Sequence, residues 1–166
     1  MEKLWSPWRS IYIESISKKS SDESCIFCDA AQQDVNDLDN LLVNKNELTF
    51  TLLNLYPYNN GHLMVVPFRH VSEFEKLTND EGSEIFKELQ LAQLALTEIS
   101  KPQGFNIGAN LGRIGGAGID EHIHFHIVPR WSGDTNFMPV LGEVKVISQD
   151  LRETKSKLLK AYKKLK

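Results

Sequence analysis

Cysteine is scarce in this chain: 166 residues carry two, too few for a disulfide framework. No stretch approaches the ~18 consecutive apolar residues of a membrane span. The N-terminus, Met-Glu-Lys-Leu-Trp-Ser-Pro-Trp-Arg, lacks the apolar segment of a secretory signal. A soluble cytoplasmic protein with no membrane partner is the expectation. An excess of positive charge is also missing: 19 Lys and Arg stand against 22 Asp and Glu, a net −3. That argues against a general nucleic-acid binder. There is no internal repeat. The length suits one domain with a proper core.

Histidine is sparse too, yet three of the five fall on alternate positions of one run: His122, His124 and His126 in Glu121-His-Ile-His-Phe-His-Ile-Val-Pro-Arg130. The spacers Ile123, Phe125 and Ile127 are branched or aromatic, so the run reads as a β-strand. Alternation then puts three imidazoles on one face and core residues on the other. The row spans about 13 Å at ~3.3 Å per residue. Such a row is the wetted face of a strand, a metal site, or a catalytic surface in which imidazole acts as nucleophile or proton carrier.

The rest of the chain reads as strands around one long helix. Residues 1–24 form an arm with two tryptophans and a Ser/Lys-rich stretch, and residues 34–40 are polar and turn-like. Strands are expected at 48–53 and 62–67, joined by Asn54-Leu-Tyr-Pro-Tyr-Asn-Asn-Gly61 as a hairpin turn. Thr78-Asn-Asp-Glu81 is a capping box. The helix it opens runs to about Ser100, with Ile85, Leu89, Ala92, Leu96 and Ile99 on one face. Pro102 and Gly104 end it. Leu91, Leu94 and Ala95 lie off that stripe, as a subunit contact or the edge of a wide apolar face. A strand over 105–111 follows. At the C-terminus Leu151, Leu158, Tyr162 and Leu165 form a buried stripe, with Arg152, Lys155, Lys157, Lys160, Lys163, Lys164 and Lys166 on a solvated face. The expected class is α+β around an antiparallel sheet. The divisions are an arm over 1–34, a domain over 35–145 and a helix over 146–166.

Two further features carry chemistry. Gly112-Arg-Ile-Gly-Gly-Ala-Gly118 lacks Lys-Ser/Thr and opens no helix, so it is neither a P-loop nor a dinucleotide fingerprint. It is a mobile turn or, placed before the imidazoles, a phosphate cradle built by the backbone of Gly116, Ala117 and Gly118. Cys25-Ile-Phe-Cys28 is a redox pair or half of a metal site. A redox pair would head a helix that follows a strand, which the preceding Ser/Lys-rich stretch does not resemble. Two further zinc ligands are available in His70 and His122, a Cys₂His₂ set.

The run His-φ-His-φ-His-φ-φ, with φ apolar, filled here by residues 122–128, resembles the signature of the histidine triad (HIT) family of nucleotide hydrolases and transferases. Residues 54–67 resemble its first hairpin. The segments Pro129-Arg-Trp-Ser-Gly-Asp-Thr-Asn-Phe-Met-Pro-Val140 and Leu4-Trp-Ser-Pro-Trp-Arg9 resemble its branch acting on diadenosine polyphosphates, including bacterial diadenosine tetraphosphate phosphorylases.

The resemblance implies a catalytic set of His122, His124 and His126. His124 attacks the α-phosphorus of a nucleotide ester or anhydride, its other ring nitrogen held by a backbone carbonyl. His126 contacts the α-phosphate and its bridging oxygen. Asn54, otherwise a turn residue before Pro57, would contact ribose, and Asn110 would touch phosphate. Some phosphorylase relatives carry serine where this chain has Gly118, so a hydroxyl contact to incoming phosphate is missing here. The resemblance also implies a structural zinc on Cys25, Cys28, His70 and His122; His62 reads as structural, from its place in the turn after Gly61. A homodimer is implied as well, with the long helix and a neighbouring strand in contact. The expected reaction is cleavage of diadenosine polyphosphates by phosphorolysis or hydrolysis. The alternatives are a nucleoside phosphoramidase of the same family and a non-catalytic, zinc-stabilised nucleotide-binding module.

Overall fold

Residues 25–135 and 149–166 are described by the computed structural model. The arm over 1–24, with its 4–9 motif, and residues 136–148, with the end of the 129–140 motif and the 145/146 boundary, lie outside them. In chain order the elements are α1 (Ile26–Ala31), β1 (Leu42–Lys45), β2 (Thr49–Leu53), β3 (Leu63–Pro67), a 3₁₀ turn (Phe74–Lys76), α2 (Asn79–Ser100), β4 (Gly104–Ala109), β5 (Phe125–Arg130) and α3 (Leu151–Leu165). The five strands form one sheet in the order β1-β2-β3-β5-β4, and every neighbouring pair is antiparallel. This is the α+β architecture expected. Among the described residues no helix is long and apolar enough to cross a membrane.

Period-2 alternation sorts the strand residues onto two faces. Leu53, Leu63, Val65 and Ile127 join Leu89, Leu96 and Leu158 beneath α2 and α3. Phe50, Leu52, Met64 and Val66 join Cys25 and Phe27 on the other side, beneath α1. Because both faces are covered, β2 and β3 are buried along their whole lengths. His126 stands opposite Met64 in the ladder, so it belongs to the α1 face, while Ile127 belongs to the helix face. The hydrogen-bonded strand is shorter than the histidine run: it begins at Phe125. His122 and His124 lie on the lead-in, where the Ile123 N–H donates to the Val71 carbonyl instead (2.7 Å).

The long helix follows its local code. Thr78 caps it, and the Glu81 side chain returns the bond to the Thr78 N–H (2.8 Å). Arg69 then grips both Glu81 oxygens, at 2.8 and 2.7 Å. The off-stripe residues part company: Ala95 is fully buried, Leu91 packs on the core and Leu94 is exposed. The hairpin turn closes through Gly61 at φ +74°, a backbone setting in which a side chain is strained.

Four features depart from expectation. α1 carries the CxxC at its start, with Cys25 as N-cap. β1 is a further strand, ending in a polar Asn44-Lys45 pair. Leu165 is exposed, because the helix face turns out of the core after Tyr162. Lys155 is fully buried rather than solvated. Its ammonium donates to the Asp37 carbonyl (2.6 Å) and to Asn40 Oδ1 (2.7 Å), so three-way donor capacity replaces water.

The Arg69 guanidinium holds the Glu81 carboxyl down at about 2, against an ordinary 4.5. The unfolded chain therefore takes up this proton first on acidification. The stabilisation is complete above pH ~4.5 and is lost as pH falls through about 2. Glu81→Gln should show a shallower acid loss of stability than the wild type in urea denaturation across that window; parallel curves would refute the assignment.

Candidate functional site

The backbone carbonyl of His122 accepts a hydrogen bond from His124 Nδ1 at 2.9 Å. A carbonyl can only accept, so the proton of a neutral His124 ring sits on Nδ1 and the lone pair on Nε2. Burial pushes the His124 ring below its ordinary pKa, only partly opposed by that carbonyl. A neutral imidazole with one free nitrogen can act as a nucleophile.

His126 is oriented by a residue read from the sequence only as a structural turn histidine. The Tyr58 N–H donates to His62 Nδ1 (3.1 Å), so His62 carries its proton on Nε2. That nitrogen lies 2.9 Å from His126 Nδ1. The neutral His126 ring then has its proton on Nε2 and stands as a hydrogen-bond donor. The Asn54 amide also lies 3.3 Å from His62 Nδ1. The signal was available: His62 is two residues before Met64, the ladder partner of His126, and so shares its face. The rings of His124 and His126 stand edge to face, with centroids 4.8 Å apart.

His122 itself turns away. It is fully buried and does not border the cleft described below. Its Nε2 donates to the Pro67 carbonyl (2.9 Å), leaving Nδ1 to face sulfur. Cys25 Sγ lies 3.4 Å from His122 Nδ1, Cys28 Sγ lies 3.7 Å from it, and Cys28 Sγ is 3.3 Å from His70 Nδ1. The four donor atoms sit within 4.8 Å of one another, a grouping that could hold a metal ion. Burial, then the neighbouring Cys25, pushes the Cys28 thiol up to about 11. This is opposite to the lowered pKa of a reactive redox thiol. Burial likewise holds His122 down at about 4.

A cleft of about 620 Å³ opens over His124 and His126, within the range of small-ligand sites. Asn54, Asn110 and Gly118 border it beside the two histidines. Its apolar lining includes Phe27, Leu41, Leu52, Met64 and Ile119. Gly116 and Ala117 do not border it. Their N–H groups close the loop onto the carbonyls of Arg113 (3.0 Å) and Gly112 (3.1 Å). The Asn110 amide reaches the Gly116 carbonyl at 3.4 Å, so the loop braces one cleft residue. Gly115 is required there, since a Cβ would collide with the Leu111 carbonyl.

Comparison with known proteins agrees with this geometry. A family model described as HIT domain matches residues 35–133. An AP-4-A phosphorylase of Mycobacterium tuberculosis is 42% identical over 160 residues, covering 93% of this chain and 81% of that protein. An uncharacterized HIT-like protein of Methanocaldococcus jannaschii is 33% identical over 133 residues, covering 79% and 98%. Among solved structures, a Zn-bound histidine triad family protein from Mycobacterium smegmatis superposes with a TM-score of 0.68 at 24% identity, covering 86% of this chain and 95% of that one. At that identity the likeness speaks for the fold.

Replacing His62 with Leu removes the donor to His126 and the acceptor for the Tyr58 N–H inside a buried site. A loss of about 1–3 kcal/mol in unfolding free energy is expected. Chemical denaturation measures it, and a variant as stable as the wild type would show that this chain of rings carries no stabilisation.

Proposed function

The chain belongs to the histidine triad family, and from that premise we propose that it is a nucleotidyl-transfer enzyme cleaving dinucleoside polyphosphates, diadenosine tetraphosphate among them. The observation that carries this reading is the Nδ1–H of His124 held by the His122 carbonyl (2.9 Å), at a residue that borders the cleft. The likeness to a protein named AP-4-A phosphorylase supports the substrate class.

In this reading His124 Nε2 attacks the α-phosphorus. The N–P bond forms as the P–O bond to the departing nucleotide breaks, and that oxygen takes the electron pair. The Nε2–H of His126 donates a hydrogen bond to the phosphoryl group and the bridging oxygen, where negative charge grows. Asn54 contacts the ribose, and Asn110 and Gly118 contact phosphate. The loop at Gly116 and Ala117 serves by bracing Asn110 rather than by offering its own N–H groups. In the second step inorganic phosphate or water attacks the same phosphorus, the N–P bond breaks, and the ring is restored. With the tetraphosphate, phosphate yields ADP and ATP, and water yields AMP and ATP. His122 serves through its carbonyl.

The cysteine–histidine cluster fits zinc. Around a tetrahedral zinc with bonds of roughly 2.0–2.3 Å, neighbouring donors stand roughly 3.3–3.8 Å apart. The three sulfur–nitrogen separations given above, 3.4, 3.3 and 3.7 Å, fall in that range. Bound there, zinc would tie α1 to the lead-in of β5 and fix His122, a structural service outside the chemical steps. In this reading the domain spans 35–145, with flanking segments 1–34 and 146–166. Two copies associate through the exposed edge strand β4, where Ile107 is uncovered, and the exposed Leu94 of α2. A nucleotide substrate suits a cytoplasmic location.

Incubation with diadenosine tetraphosphate, with and without inorganic phosphate, tests the reaction. ADP formed only with phosphate identifies phosphorolysis, and AMP in both tubes identifies hydrolysis. No conversion would overturn the reading. His124→Ala should lose at least 10³-fold in kcat, because the covalent route disappears. Metal analysis should find about one zinc per chain, bound less tightly in Cys28→Ser, and a stoichiometry near zero would count against the metal assignment.

A further inference from the structure

One wall of the cleft is supplied only in part by the matched family segment. Residues 150–152, at the start of α3, border it together with residues 38–41, and α3 lies beyond the matched segment 35–133. The two parts of the wall are tied together. Buried Lys155, one turn into α3, holds the Asp37 carbonyl (2.6 Å), the Asn40 carbonyl (3.2 Å) and Asn40 Oδ1 (2.7 Å). Asp150 is spent on capping α3, accepting from the Glu153 N–H at 2.9 Å. Asn40 is spent on Lys155 and on the Leu42 N–H (2.8 Å). The ionic groups left on this wall are Asp39 and Arg152, paired with each other at 2.7 Å.

That pair is available to a ligand. Its side chains are 73% and 62% exposed, and ion pairs between such exposed groups hold weakly and exchange readily. Arg152 is the one Lys or Arg that borders the cleft among the described residues. Asp39 and Arg152 line the same cleft as Phe27, Leu41, Leu52 and Met64, whose apolar side chains suit a ring rather than phosphate. The pair offers that cleft a carboxylate that only accepts and a guanidinium that only donates. Adenine presents the complement on one edge: the N6 amino donor beside the N7 acceptor. Guanine presents two acceptors there, O6 and N7. Both would suit Arg152, but O6 would face the Asp39 carboxylate. Uracil has no N7 and carries the O4 acceptor in place of an amino donor.

We infer that Asp39 and Arg152 form a base-reading pair that selects adenine nucleotides, on a wall where α3, beyond the matched family segment, meets the 38–41 stretch within it. This rests on the reading of the cleft as a nucleotide site. Asp39 accepts from the adenine amino group and Arg152 donates to N7. Lys155 ties the 37–40 stretch to α3, so the two side chains are carried by segments fixed to each other, and a mismatched base makes one hydrogen bond fewer.

Equilibrium binding of AMP, GMP and UMP to the full chain tests this without turnover. The wild type should bind AMP at least tenfold more tightly than GMP or UMP. Asp39→Ala should weaken AMP about tenfold and leave GMP unchanged or tighter, closing the gap. Arg152→Gln should weaken AMP and GMP together and leave UMP unaffected. Equal affinities in the wild type, or wild-type ratios in both variants, would overturn the inference while leaving the nucleotide site standing. No binding of any of the three would overturn the nucleotide reading along with it. Both side chains are exposed, so the variants should keep the wild-type unfolding midpoint.

Discussion

One hydrogen bond fixes the state of the central ring in the cleft: the Nδ1–H of His124 on the carbonyl of His122. It decides which nitrogen of the central ring keeps its lone pair. The bond is only as good as the placement of that carbonyl, and the chain around it is held on several sides. The His122 ring donates to Pro67, the Ile123 N–H donates to Val71, and the Cys25/Cys28 sulfurs pack against His122 Nδ1. A nucleophile displaced by about 1 Å loses on the order of 10² in rate. The burial around His122 thus serves orientation more than adhesion.

The sheet explains why His126 and its partner His62 stand on one side. Ile127 joins the helix-side core and His126 faces the α1 side opposite Met64, so the same strand that anchors the core presents a ring to the cleft. The cleft is then walled by segments at both ends of the described chain. α1 brings Phe27 against the rings of His122 and His124, and α3 brings its first turn. The matched family segment supplies the centre of this arrangement and the 38–41 part of its wall, and α1 and α3 flank it.

Much of this was legible residue by residue. The Thr78/Glu81 box placed the start of α2, and the spacing of its apolar residues gave its buried face. The hairpin turn, the imidazole row and the four candidate metal donors were all present as short motifs. α1 was not, because six residues are too few to show a helical period. β1 was hidden because four residues with a buried Asn44 do not alternate in polarity. Lys155 was misassigned for a physical reason: polarity patterns place a lysine in water, and only the meeting of α3 with the 37–40 loop supplies acceptors to replace that water.

By its own order the sequence determined that imidazoles recur at every second position, that a capped helix follows the hairpin, and that two cysteines stand one helical turn apart. Those are consequences of covalent spacing and local backbone preference. Tertiary structure decided where the protons of His122 and His126 rest. The partner of the His122 ring is 55 positions away in the chain, and that of the His126 ring 64, whereas His124 bonds a carbonyl two residues back. The two distant tautomers are chosen by whichever acceptor or donor folding brings within about 3 Å, and no spacing along the chain specifies those.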